Sequence, residues 1–107
     1  DDVALWQTAP GVTNSAGNLA LHVAGNLQHF VGAILGRTGY VRNREHEFAC
    51  REGARAAVIA ELNAARAVVD TTLSRLTQAD LDRDYPEPLA GHTLNTATFL
   101  VHLGAHL

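Results

Sequence analysis

The chain lacks lysine and methionine altogether, and its 107 residues hold one cysteine, one tryptophan, two tyrosines and three phenylalanines. The lone Cys50 excludes an internal disulfide and any Cys-x-x-Cys redox or zinc-ribbon motif, so a reducing cytoplasm is the expected home. All eight basic residues are Arg and they are scattered; with a net charge of −3, the clustered positive charge that nucleic acid requires is missing. No apolar run approaches the roughly 18 residues of a membrane span, and the Asp1-Asp2 opening is unlike the basic start of a signal peptide, so no membrane partner is expected. Methionine is absent even at position 1, and the chain reads as a fragment or processed product. It contains no Gly-rich phosphate loop, no G-x-S-x-G elbow and no haem-attachment C-x-x-C-H.

What is present is Ala and Leu in helical spacing. The length suits one domain spanning 1–107. Residues 1–13 contain Pro10-Gly11 and read as an extended lead-in anchored by Trp6. Asn14 or Ser15 offers a side-chain oxygen to cap a helix running to about Leu35, which Gly36 ends. Residues 37–48 show no sustained period and read as a loop. From about Cys50 to Leu76, apolar positions recur every three or four residues, and about 27 residues make roughly 40 Å of helix. Thr77-Gln-Ala-Asp80 resembles a capping box for a short turn, Pro86 and Pro88 block further helix, and a third long helix is predicted from about Thr93 to the end. Three long helices with short connections predict an all-α, up-and-down antiparallel bundle. Three give a thin core, so a fourth helix or a partner chain, most simply in a homodimer, is expected. Gly25 and Gly32, seven residues apart, allow close helix approach.

Two of the helices carry a polar stripe beside an apolar one. At about 100° per residue, Leu19, Val23, Phe30 and Ile34 form an apolar face, and Asn18, His22, Asn26 and His29 cluster on its flank. In the last helix Leu94, Ala97, Val101 and Ala105 line up beside Asn95, Thr98, His102 and His106. Two such flanks facing each other line a cleft with imidazoles, which are good ligands for divalent metals. His102 and His106, spaced i, i+4, project from one helix face and suit one ion.

The chain is similar to members of the DinB/YfiT-like superfamily, four-helix bundles that bind a metal. The resemblance lies in Trp6 and Ala9-Pro10, Asn14-Ser15, Asn18-Leu-Ala-Leu-His22-Val-Ala-Gly-Asn26, Arg44-Glu-His-Glu-Phe48 and Phe99-Leu-Val-His102-Leu-Gly-Ala-His106-Leu107. It implies a four-helix bundle to which this chain contributes three long helices, the first helix lying outside the sequence. It further implies a metal held by one His on the second helix, matched by His22, and by two His spaced i, i+4 on the fourth. The family's usual His-x-Gly-Gln is absent, so either His106 opens a pair whose second member lies beyond Leu107, or His102 and His106 are the pair. The implied chemistry is that of a metal-dependent enzyme, using zinc or nickel with a low-molecular-weight thiol as co-substrate, on a small molecule that no residue specifies. A non-catalytic dimeric bundle with a polar His/Asn seam is the alternative.

The other polar residues carry blander expectations. Asn18 and Asn26 either orient a metal ligand or satisfy polar needs inside the bundle, and His29 packs at the cleft edge. His46 and His92 read as solvated loop residues, Glu45 and Glu47 as loop charges, and Asp80, Asp82 and Asp84 as surface charge. Cys50 reads as a small buried apolar residue.

Overall fold

The computed structural model describes all residues 1–107, which form helices and no named strand. No helix is long and apolar enough to cross a membrane. The chain divides into two compact units, 1–72 and 73–107.

In the first unit, Asp1 Oδ1 accepts the Ala4 amide (2.6 Å) and starts a 3₁₀ turn, Ala4–Trp6. Helix α1, Ala16–Leu27, opens on a reciprocal capping box in which Ser15 Oγ accepts from the Asn18 amide (3.1 Å) and Asn18 Oδ1 accepts from the Ser15 amide (3.0 Å). The helix continues as a π-helical segment, Gln28–Ala33, with i→i−5 bonds from Ile34 to His29 (3.1 Å) and from Gly36 to Val31 (2.9 Å). Arg37, at φ 51°, takes the left-handed position that reverses the chain. Gly36, predicted to supply that reversal, instead allows close packing, because a Cβ there would stand 2.6 Å from Thr72 Oγ1.

Helix α2, Arg44–Ala49, replaces the loop predicted over 37–48. Asn43 caps it by accepting from the His46 amide (3.0 Å), and Glu45 and Glu47 place acidic charge in its first turn, where the helix dipole favours it. Fewer than two turns show no hydrophobic period, so the pattern was silent. Helix α3, Arg55–Arg75, starts five residues later than predicted, beyond Gly53 at φ 143°. Asp2 Oδ1 accepts the Arg55 amide (2.8 Å) at its beginning. Val58, Ala65 and Thr72, seven apart, are its buried line.

The face of α1 predicted as core is not the buried one. Leu19 is 52% exposed and Val23, Phe30 and Ile34 are only half-buried, whereas Gly17, Asn18, Ala24, Gly25 and Asn26 are buried. The glycines cause the inversion, since they let neighbours come against the helix backbone. A Cβ at Gly17 would lie 2.6 Å from the Trp6 ring, and one at Gly32 would lie 2.8 Å from Val68 Cγ1. The close approach expected of Gly32 is therefore made within this chain. Trp6 is fixed by its indole N–H, which donates to Gly53 O (2.8 Å).

In the second unit, Thr77 and Asp80 form the expected capping box at the start of α4, Gln78–Asp82. Leu89 and His92 exchange backbone bonds (2.8 and 2.9 Å) around Ala90-Gly91, whose φ values of 49° and 80° make a two-residue hairpin turn. Helix α5 runs Thr96–His106, capped by Asn95, which accepts from the Thr98 amide (2.8 Å). It begins three residues later than predicted because the Thr96 amide and hydroxyl both donate to Arg83 O (2.8 and 2.9 Å). The buried line is Thr96, Phe99 and Leu103, with Phe99 stacked on buried Tyr85 at 3.6 Å between ring centroids. The stripe predicted as core includes Val101, which is 74% exposed, and exposed Ala105.

Gly17→Ala is expected to destabilise the protein by about 1–3 kcal/mol, the usual cost of overpacking. Urea unfolding followed by Trp6 fluorescence checks this, and an unchanged midpoint would show that the indole does not sit against α1.

Candidate functional site

α1 presents His22 from the face that also carries Asn18 and Asn26. Opposite it, α2 supplies Glu47 and Phe48, and the segment before α2 supplies Arg42. Glu47 is buried, at 4% exposure, and its two oxygens are fully engaged. Arg42 Nε donates to Oε2 (2.8 Å) and Arg42 Nη2 to Oε1 (2.8 Å), a bidentate fork, while His22 Nδ1 lies 3.1 Å from Oε1. Gly25 makes room for this cluster: a methyl group there would overlap the Glu47 carboxylate. The Phe48 ring covers the imidazole at 4.9 Å, and the Arg44 guanidinium lies 5.0 Å from the centre of the same ring.

Asn18, with no exposed surface, ties α1 to α2. Its Nδ2 donates to Glu47 O (3.0 Å) and Cys50 O (2.8 Å), and its Oδ1 also accepts from Arg51 Nη1 (2.9 Å). Both polar atoms of the amide are thus engaged where the two helices join.

The tautomer of His22 follows from the charges. Its Nδ1 faces both the Glu47 carboxylate and Arg42 Nη2, the latter also at 3.1 Å. A bare Nδ1 would accept from Arg42 but set its lone pair against an anionic oxygen. A protonated Nδ1 donates to that oxygen, which accepts from Arg42 as well, and the bond to a charged acceptor is the stronger one. The Nδ1–H tautomer therefore wins, and Nε2 keeps its lone pair, as a metal-binding or proton-accepting imidazole requires. Burial pushes the Glu47 carboxyl up, but the hydrogen bonds and positive charges of Arg42 and His22 outweigh it and hold the group below its ordinary value of 4.5.

Glu47 and Arg42 were not among the sequence candidates, and Glu47, predicted as a loop charge, is the buried centre of the cluster. The available signal was Asn43 followed by Glu45 and Glu47, an N-cap with acids in the first turn, and it announces a helix without revealing which acid turns inward.

The other candidates stand apart. Asn26 is buried, one turn beyond His22, and its Oδ1 has no hydrogen-bond partner. His29 is half-buried in the π segment, edge-on to Phe30 at 4.7 Å. His102 and His106 are exposed on α5 in the second unit, their rings nearly parallel at 6.4 Å. His46 and His92 are exposed as expected, though His46 belongs to α2. Cys50 is half-buried and donates to Glu52 O (3.2 Å). Asp80 is a cap, its carboxyl held low by the Thr77 backbone and hydroxyl groups. No three His, Cys, Asp or Glu side chains converge on one ion position. His22 thus fits one place in a metal's coordination, by tautomer and by donor type.

The sequence profile of the DinB superfamily matches residues 1–107. Neither the curated proteins nor the solved structures provide a match.

Long-range ¹⁵N–¹H spectra of neutral His22 are expected to show Nδ1–H, shifting toward Nε2–H in Glu47→Ala; Nε2–H in the unmodified protein would overturn the assignment. Glu47→Ala leaves Arg42 buried without its partner and is expected to cost about 3–5 kcal/mol. Because the folded carboxyl is held low, the clamp's stabilisation is complete above pH 4.5 and fades as pH falls through the lowered value. Urea unfolding of wild type and Glu47→Gln across that range should show the difference shrinking toward acid.

Proposed function

We propose that this chain, which belongs to the DinB superfamily, is a metal-dependent enzyme, a thiol-dependent S-transferase or hydrolase, with His22 as a metal ligand. The observation that carries this reading is the Glu47–Arg42 clamp on His22. A buried carboxylate that accepts a hydrogen bond from the Nδ1–H of an imidazole is the usual support of a metal-ligating histidine, because it fixes the ring and its tautomer. Asn26 adds a buried acceptor without a partner, one turn away on the same helix.

A divalent metal, zinc or nickel, supplies Lewis acidity when bound, lowering the pKa of a thiol or water. The chain's own residues do the rest. Glu47 accepts the Nδ1–H hydrogen bond, Arg42 keeps Glu47 ionised, and Phe48 packs over the ring and limits its rotation. In the second unit, His102 and His106 form an i, i+4 pair on α5.

The second reading, a non-catalytic homodimer, draws on the exposure of Leu19 and Val101, large apolar side chains on both histidine-bearing helices. Burying them against another copy removes apolar surface from water.

Elemental analysis of protein purified without a metal-affinity tag, after incubation with zinc or nickel, separates the two. About one metal per chain is expected, abolished by His22→Ala and weakened about 10–100-fold by Glu47→Ala, an orienting residue, while His102→Ala and His106→Ala test whether the α5 pair contributes. Such a protein is then assayed for consumption of free thiol with an electrophile, the product identified by mass. Metal retained unchanged in His22→Ala overturns the ligand assignment. A metal-free chain that sediments as a dimer establishes the second reading instead.

A further inference from the structure

On the first unit, a cleft of about 480 Å³ opens between α1, α2 and α3, within the range of small-molecule sites. His22 does not line it, and Glu47 is the one lining side chain that the metal reading also uses. Its floor is hydrocarbon, from Leu21 and Ala24 of α1, Val58 of α3 and the ring of Trp6. The ring is held in place by the indole bond to Gly53 O, so it offers a fixed aromatic surface.

The polar part of the lining has one sign. Glu47, Glu52 and Glu61 line the cleft, while no Arg does and the chain has no Lys; His46 is the only side chain of basic type. Glu47 is neutralised by the fork from Arg42. Glu52 and Glu61 enter no ion pair, so two carboxylates are left uncompensated at the cleft. Tyr40 also lines the cleft: burial, then the charges of Glu47 and Glu61, outweigh Arg42, raise its hydroxyl above the usual value and keep it a neutral donor. A hydrocarbon floor repels a bare metal ion, and two free carboxylates repel an anion. The combination of an apolar body and a cationic head satisfies both parts, with the aromatic face of Trp6 adding attraction for the cation.

We infer that this cleft binds a small organic cation, an amine carrying an apolar or aromatic body, with the body on Trp6, Leu21, Ala24 and Val58 and the charged head toward Glu61 and Glu52. Trp6 is the only tryptophan in the chain, so its fluorescence reports occupancy directly. The site stands independently of the metal reading and is tested on metal-free protein.

The test titrates the full chain at pH 8 with phenethylamine, with the neutral isostere 2-phenylethanol and with the anion phenylacetate. The amine is expected to change Trp6 emission saturably, the alcohol to bind about two- to fivefold more weakly, and phenylacetate more weakly than the alcohol, since one exposed charge pair carries that much discrimination. Glu61→Gln, at an exposed position of α3, is expected to weaken the amine about threefold and leave the alcohol unchanged, and Glu52→Gln with Glu61→Gln to remove the preference for the amine. Amide shifts on amine binding should centre on Ala24, Ala57 and Val58. No saturable response to the amine overturns the inference. So does equal affinity for amine and alcohol, a preference that survives the double substitution, or shifts centred elsewhere.

Discussion

A carboxylate taken out of water must be given charge and hydrogen bonds in return, and in the first unit Glu47 imposes that demand on everything around it. An unpaired ion at that depth would cost several kcal/mol. Arg42 meets the demand with a two-pronged fork and His22 with its Nδ1 proton. The demand also dictates backbone: position 25 has to be glycine because a side chain would occupy the carboxylate's space. Helix α2 has to form where the periodicity is silent, and Asn18 anchors that helix by taking the Glu47 and Cys50 carbonyls.

The same carboxylate joins two chemistries. Toward His22 it selects the tautomer whose Nε2 is a donor atom, the state that a metal ligand or a general base needs. It also forms part of the wall of the cleft floored by Trp6, where Arg42 cancels its charge and leaves Glu52 and Glu61 as the free acids. A substitution at Glu47 acts on both, whereas one at Glu61 touches only the cleft. That asymmetry lets the two proposals be tested separately on one protein.

Local signals in the sequence were read correctly where the chemistry was local. Ser15 caps α1, Thr77 and Asp80 make a capping box, and Pro86 and Pro88 lie in a non-helical stretch. The all-α class followed from spacing alone, and the motif around His22 pointed to the superfamily whose profile matches the full chain. The choice of inward face was misjudged in α1 and α5, for one physical reason. Helical projection ranks faces by hydrophobicity, but burial here follows close approach and satisfied polar groups: glycines beside Trp6 and Val68, Thr96 on the Arg83 carbonyl, Asn18 at a helix junction. The π segment adds a second cause, since i→i−5 bonds break the 100° step on which the projection of Phe30 and Ile34 rests.

The sequence by itself determined the all-α class, the caps, the net negative charge, and the identity of His22 as a residue of interest. Those properties depend on neighbours within a turn or two, or on composition. Only the tertiary structure decided that Glu47 turns inward, that Arg42 meets it, that Gly25 exists to admit it, and that Trp6 floors a cleft with an acidic rim. Those depend on contacts between residues up to 47 positions apart, as from Trp6 to Gly53, and such a contact leaves no period or motif in the chain because its energy comes from desolvation and charge pairing in three dimensions.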